Sequence, residues 1–362
     1  MRTRFWAPFA LILATLFNLA ASAQNNAFAK KVDVRHLMER AQQGYVKDQV
    51  ELGLAFHNGN GVPPDPAQAA HWFLKAAGLG DPQAQTFIAY YYLGGRGVEQ
   101  NPAQAFMWFQ RAAVENFPPA QVGLAFLLMN GLGTKQDLES AATWMTRAAQ
   151  HNFPPAELNL AIMYYDGKGV ARSPEQMFAW MTKAAKQKYA PAEFLLGTMY
   201  ETGSGTKQSF SEAASWYRRA AERGDAQAQN NLGGLYSRGD GVRQDQEEAA
   251  KWYRRAAEQG DKSGCTNLAY VYASGKGVPR NYGLAYFWSQ ISRRIPGFGH
   301  SPLTPEFQQT LESLVTPDEV QKLDMQVEAW FREHAVNTKM STFVELSPNA
   351  NEMTSRLREA LQ

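Results

Sequence analysis

Residues 232–260 read LGGLYSRGDGVRQDQEEAAKWYRRAAEQG, and residues 52–80 read LGLAFHNGNGVPPDPAQAAHWFLKAAGLG. Both stretches hold a Leu-Gly pair, a Gly-x-Gly-Val turn, an aspartate ahead of the next helical run, a tryptophan and an Ala-Ala pair, each at the same place. The two lie a whole number of 36-residue steps apart. Between and beyond them the tryptophan recurs as Trp72, Trp108, Trp144, Trp180, Trp216, Trp252 and Trp288, with no insertion or deletion in any interval. A period held this strictly is the mark of a repeat architecture, in which stacked units share one continuous core.

Each unit reads as two helices. The first carries an aliphatic–small pair (Leu52-Gly53, Ile88-Ala89, Leu124-Ala125 and so on to Leu268-Ala269). Four residues later comes a large residue, from Phe56 and Tyr92 to Tyr272. The i, i+4 spacing puts both on one helical face. A Gly-x-Gly then ends the helix, because glycine takes positive φ at low cost. The second helix opens on Asp65, Asn101, Asp137, Ser173, Ser209, Asp245 or Asn281, all good N-cap types. Pro66, Pro102 and Pro174 fit its first turn. Ala-Ala follows the tryptophan in six units. The helix is expected to stop at Gly80, Asn116, Asn152, Lys188, Gly224 or Gly260.

Such a helix–turn–helix unit, with Leu-Gly-x-x-Tyr, Gly-x-Gly-Val, a mid-helix Trp and Lys/Arg-Ala-Ala, resembles the SEL-one-like repeat (SLR) family, relatives of the tetratricopeptide repeat. The resemblance spans about residues 33–296. It implies an all-α, right-handed α-solenoid of seven 36-residue helix-turn-helix repeats with N- and C-terminal capping helices, the first helix of each unit lining the concave side. It also implies an adaptor or scaffold, and for exported bacterial members a role in envelope assembly, signalling or host interaction. Some secreted members are laced by two cysteines per repeat. This chain has one cysteine, Cys265, so their ligand associations do not carry over. Cys265 is either a buried inert thiol or the source of an intermolecular disulfide.

The expected organisation runs as follows. Residues 1–23 form a signal peptide, with Arg2 and Arg4, an apolar run from Phe9 to Leu19 and Ala21-Ser22-Ala23 as the cleavage site. Residues 24–45 hold an N-terminal capping helix and 46–296 the seven repeats. Residues 297–336 hold two capping helices, at about 305–314 and 318–335, and 337–362 a polar tail. The apolar run is too short to span a bilayer, and no transmembrane segment is expected in the mature chain. Periplasmic or secreted localisation follows. Losing Arg2 and Arg4 takes the formal charge from +2 to zero, so nucleic acid is not an expected partner.

Partner specificity is expected at variable positions two before, two after and five after the aliphatic residue of the first helix. As a set these are apolar and aromatic in the middle units, with Tyr90, Leu93, Phe126, Met129, Ile162, Tyr165 and Phe194 as anchors for an envelope protein or peptide segment. The competing reading is that they pack against neighbouring helices. A basic ladder, Lys75, Arg111, Arg147, Lys183, Arg219 and Arg255, serves solubility or contacts peptidoglycan or another acidic polysaccharide. No enzyme, cofactor, metal site or catalytic residue is expected. The six histidines (His36, His57, His71, His151, His300, His334) are scattered, and His57 and His71 read as solvated. The Gly-x-Gly turns follow helices and lack a third glycine, so they are not nucleotide loops.

Overall fold

The computed structural model describes residues 34–296 and 303–341. The signal segment and the polar tail beyond residue 341 lie outside the described residues. Among these there are seventeen α-helices and no strand. Helix α1 spans Val34–Gln42. Seven pairs follow: α2 and α3 (Val46–Asn58, Pro66–Gly78), α4 and α5 (Pro82–Gly94, Pro102–Val114), α6 and α7 (Pro118–Asn130, Leu138–Gln150), α8 and α9 (Pro154–Asp166, Pro174–Lys186), α10 and α11 (Ala190–Thr202, Phe210–Glu222), α12 and α13 (Ala226–Arg238, Gln246–Glu258), α14 and α15 (Lys262–Ser274, Tyr282–Arg294). Each of these fourteen helices is 13 residues long, and each pair starts 36 residues after the last. Helices α16 (Pro305–Leu314) and α17 (Pro317–Ser341) close the chain. The last helix runs six residues beyond its expected end at 335.

The boundaries are set by local chemistry. At all seven second-helix starts the cap side chain accepts the N–H three residues on, as Asp65 does from Gln68 (3.0 Å) and Ser173 from Gln176 (3.2 Å). Each satisfies one otherwise orphaned donor. Second helices end in the left-handed region, at Gly80, Asn116, Asn152, Lys188, Gly224 and Gly260. Lys188 is the one of the six that is neither glycine nor asparagine.

The chain divides after Trp180 into two compact units. In the first, α1 to α8 pack each on the next, and the first helices α4 and α6 also touch. In the second, α10 to α15 do the same, α12 touches α14, and α16 and α17 pack on α15. These consecutive helix pairs are the layers of a solenoid, with no single central core. Small residues make the layers close. A Cβ added to Gly123 would fall 2.4 Å from the Phe109 ring, and one added to Gly197 would fall 2.6 Å from Tyr217.

The second glycine of the turn has a role beyond φ. Gly97 has φ +64, and a Cβ there would sit 2.1 Å from the backbone oxygen of Pro66, the first residue of the preceding unit's second helix. Gly133 stands in the same relation to Pro102, also at 2.1 Å. These two turns therefore rest on the repeat before them, and only glycine fits both the conformation and the gap.

At the C-terminal end, Phe307 of α16 covers Tyr270, with ring centroids 4.2 Å apart. Leu311, Val315 and Leu323 bury against Ala285 and Tyr286, and Val327 and Trp330 against Trp288 and Ile291. Trp330, out of phase with the other tryptophans, is a capping residue.

Candidate partner-binding surface

A surface for a partner has to be built from residues that the stack does not consume, so the consumed ones come first. Trp72, Trp216, Trp252 and Trp288 are buried, and Trp108, Trp144 and Trp180 are partly buried against the core of the first unit. The basic ladder sits over these rings. Lys75 lies 4.5 Å from the Trp72 centroid, Arg111 and Arg147 lie 4.7 Å from Trp108 and Trp144, and Arg219 and Arg255 lie 4.5 and 4.6 Å from Trp216 and Trp252. The i, i+3 spacing stacks each cation on its own helix's indole, a contact of roughly 0.5–1 kcal/mol at an exposed site. The ladder thus has an internal job.

Two glutamine series, also in the 36-residue phase, were not recognised in the sequence as working residues. Gln49, Gln85, Gln121 and Gln229 are buried, and each donates its amide to a carbonyl eight residues back, at Ala41, Ala77, Ala113 and Ala221. Cys265 holds the same place, buried, its Sγ 3.7 Å from the Ala257 oxygen, and burial pushes its thiol well above the usual range. The second series, Gln100, Gln136, Gln208 and Gln244, donates to the carbonyls of Leu93, Met129, Glu201 and Ser237 at 2.8–2.9 Å. These amides take up acceptors left open at the ends of α4, α6, α10 and α12. Their fixed spacing was the available signal.

The groove positions need correction. Tyr90, Leu93, Phe126, Ile162 and Phe194 are buried, Tyr90 at 2% exposure. The Tyr90 ring meets Phe109 edge-on at 4.8 Å, and Phe194 lies 5.9 Å from Tyr217. They do not form an exposed apolar patch. The physical cause is the close stacking above: in α4, α6, α8 and α10 neighbouring helices cover almost the whole circumference, as expected for a helix apolar all round. Met129 and Tyr165, near the C-terminal ends of α6 and α8, keep partial exposure. Arg172 lies 5.5 Å over the Tyr165 ring.

The polar chemistry of these ends differs along the chain. His57 is not a solvated histidine. Its Nδ1 is 2.6 Å from the Tyr91 hydroxyl, and burial, aided by the Arg96 charge, lowers its pKa to about 4. In the second unit Glu201 takes the place of His57 and accepts the Tyr217 hydroxyl at 2.7 Å. The buried Glu193 pairs with Arg223 at 2.9 Å. Asp225 and Asp261, which cap α12 and α14, are raised by desolvation to about 6 and about 7. Among the described residues no group of three or more His, Cys, Asp or Glu could hold a metal ion, and no helix is long and apolar enough to cross a membrane.

The Sel1 repeat model matches residues 47–81, 82–113, 118–153, 154–189, 190–225, 226–261 and 262–292. No curated protein matches the chain. Among solved structures, a Sel1 repeat protein from Oxalobacter formigenes is 33% identical with a TM-score of 0.61, over 78% of this chain and 79% of that one. The protective antigen c5321 of uropathogenic Escherichia coli, which displays an SLR fold, is 24% identical with a TM-score of 0.40, over 90% and 81%.

Proposed function

The chain belongs to the Sel1 repeat family, whose members generally mediate protein–protein interactions on a scaffold that is generally non-enzymatic, and from that premise we propose that it is an exported adaptor of the cell envelope. The observation that carries the reading is the run of seven repeats between residues 47 and 292. An array of this kind offers a partner a long surface made of variable positions on a fixed frame. The basic start, apolar run and small-x-small site in residues 1–23 support export.

The groove formed by first helices is the proposed contact region, narrowed to their C-terminal ends, with Met129 and Tyr165 as anchors. An acidic polysaccharide bound through the basic ladder is the weaker reading, because five of those cations already lie over tryptophans.

The test is a crosslinking pull-down from the envelope fraction with the chain and with a Met129→Ala/Tyr165→Ala variant. A protein recovered by the first and lost by the second supports the adaptor and its contact region. Recovery of cell-wall fragments alone overturns the adaptor reading, and equal recovery of the same proteins overturns the contact region.

A further inference from the structure

Repeat positions that hold one residue type build the stack, so a departure shared by two neighbouring units points to a ligand. The second unit contains an open cavity of about 890 Å³ at the turns of the fifth to seventh repeats. Arg218 of α11, Tyr236 of α12, the segment Val242–Glu247 and Gly277 line it. Arg218 donates to the Tyr236 hydroxyl at 2.8 Å, and its guanidinium lies 5.9 Å from that ring. Its planar fork is therefore held in place. Arg243 is exposed on the turn. Among the described residues neither guanidinium forms an ion pair.

The combination is confined to one junction. The positions equivalent to Arg218 and Arg243 one repeat on are Arg254 and Pro279. Going back along the chain they are Thr182 and Lys207, Thr146 and Ala171, Gln110 and Lys135, and Leu74 and Glu99. Only Arg218 and Arg243 put a cation at both places; the Arg218–Tyr236 contact recurs one repeat on as Arg254–Tyr272 at 2.9 Å, so what sets this junction apart is the exposed Arg243 beside it.

We propose that this cavity docks an acidic peptide segment, a carboxylate of which is gripped by Arg218 and Arg243. A guanidinium matches a carboxylate bidentately, and a pinned one gives up less freedom on binding. Asp245 and Glu247 share the lining, so its formal charge is balanced. Asp245 is turned to its own helix, 2.9 Å from the Glu248 N–H. That balance disfavours a dense polyanion and suits spaced carboxylates on a peptide. The volume suits a few residues, and Val242 and the Tyr236 ring supply apolar wall. The proposal rests on the partner-binding reading above and adds the chemistry of one partner segment.

The experiment is fluorescence anisotropy with the full chain and a labelled six-residue peptide of alternating Glu and Ala, beside the same peptide with Gln for Glu. Saturable binding of the Glu peptide alone is expected. Arg243→Gln, at an exposed side chain with no internal ion pair, is expected to weaken it about tenfold with an unchanged melting curve. Arg218→Lys, which keeps the charge and loses the fork, is expected to weaken it too. Arg111→Gln, an equal loss of charge in the first unit, is expected to leave it within about twofold. No saturable binding, equal losses from Arg243→Gln and Arg111→Gln, or tighter binding of polyphosphate than of the Glu peptide would overturn the proposal. Those outcomes leave the pull-down untouched, so the cavity and the adaptor reading fail separately.

Discussion

The guanidinium of Arg255 lies 4.6 Å from the centroid of the Trp252 ring, three residues before it on the same helix. The indole is buried, and the cation closes its outer face. The two contribute very differently. Trp252→Ala removes a large buried side chain and is expected to cost about 3–5 kcal/mol. Arg255→Gln is expected to cost about 0.5–1 kcal/mol and, in the Trp252→Ala background, nothing further. Urea unfolding of the two single variants and the double variant measures both terms. An Arg255→Gln cost that survives the loss of the ring would disprove the stacking contribution.

Tyr90→Ala is expected to act on stability. The ring is buried on Phe109, so truncation should cost roughly 3–5 kcal/mol. Tyr165→Ala, at a partly exposed side chain, is expected to melt close to the parent. Thermal melts of the two variants check the contrast, and equal melting temperatures would contradict the burial pattern.

Gly97→Ala and Gly80→Ala both place a Cβ on a residue with positive φ, at +64 and +94. At Gly80 the space is open and the cost is the backbone strain, about 1–2 kcal/mol. At Gly97 the new atom meets the Pro66 carbonyl, which is backbone and cannot swing aside. The Gly97 variant should therefore be the less stable of the two. Denaturant midpoints decide the order.

Asp261 and His57 give opposite pH trends. The Asp261 carboxyl rises from 3.8 to about 7 on folding, so its contribution is complete below about pH 4 and is lost as pH climbs through about 7. The His57 imidazole falls from 6.5 to about 4, so its contribution is complete above about pH 6.5 and is lost as pH drops towards about 4. Asp261→Asn should flatten the decline in stability toward neutral pH, and His57→Gln the decline toward acid. Urea midpoints across that window, taken for each variant, show whether the two slopes separate.

The helices were legible in the sequence because their ends are chemical. Caps such as Asp65 and Ser209, and left-handed stops such as Asn116, are single-residue signals repeated at a fixed interval. The open side of each first helix was not legible. Offsets two before and two after the aliphatic residue face a groove only where neighbouring helices leave one, and here the Phe109 ring, seated on Gly123 and edge-on to Tyr90, belongs to a core that encloses both Tyr90 and Phe126. Single-residue patterns also hid pairings between units: Gln121 reads as an ordinary polar residue until Ala113 is beside it, and His57 as a surface residue until Tyr91 is. The Arg218 and Arg243 cavity is lined from three successive repeats, so no single 36-residue unit carries its pattern.

The contact of Gly97 with Pro66, and of Gly133 with Pro102, has a consequence for how such a chain changes length. Each of these turns is seated on the module before it, so removing a few residues would unseat the neighbours on both sides. Gene duplication or engineering can lengthen or shorten the array only by whole modules, each adding about 10 Å per helix layer. The strict count of 36 is then the trace of a ruler that tolerates copies and rejects fractions.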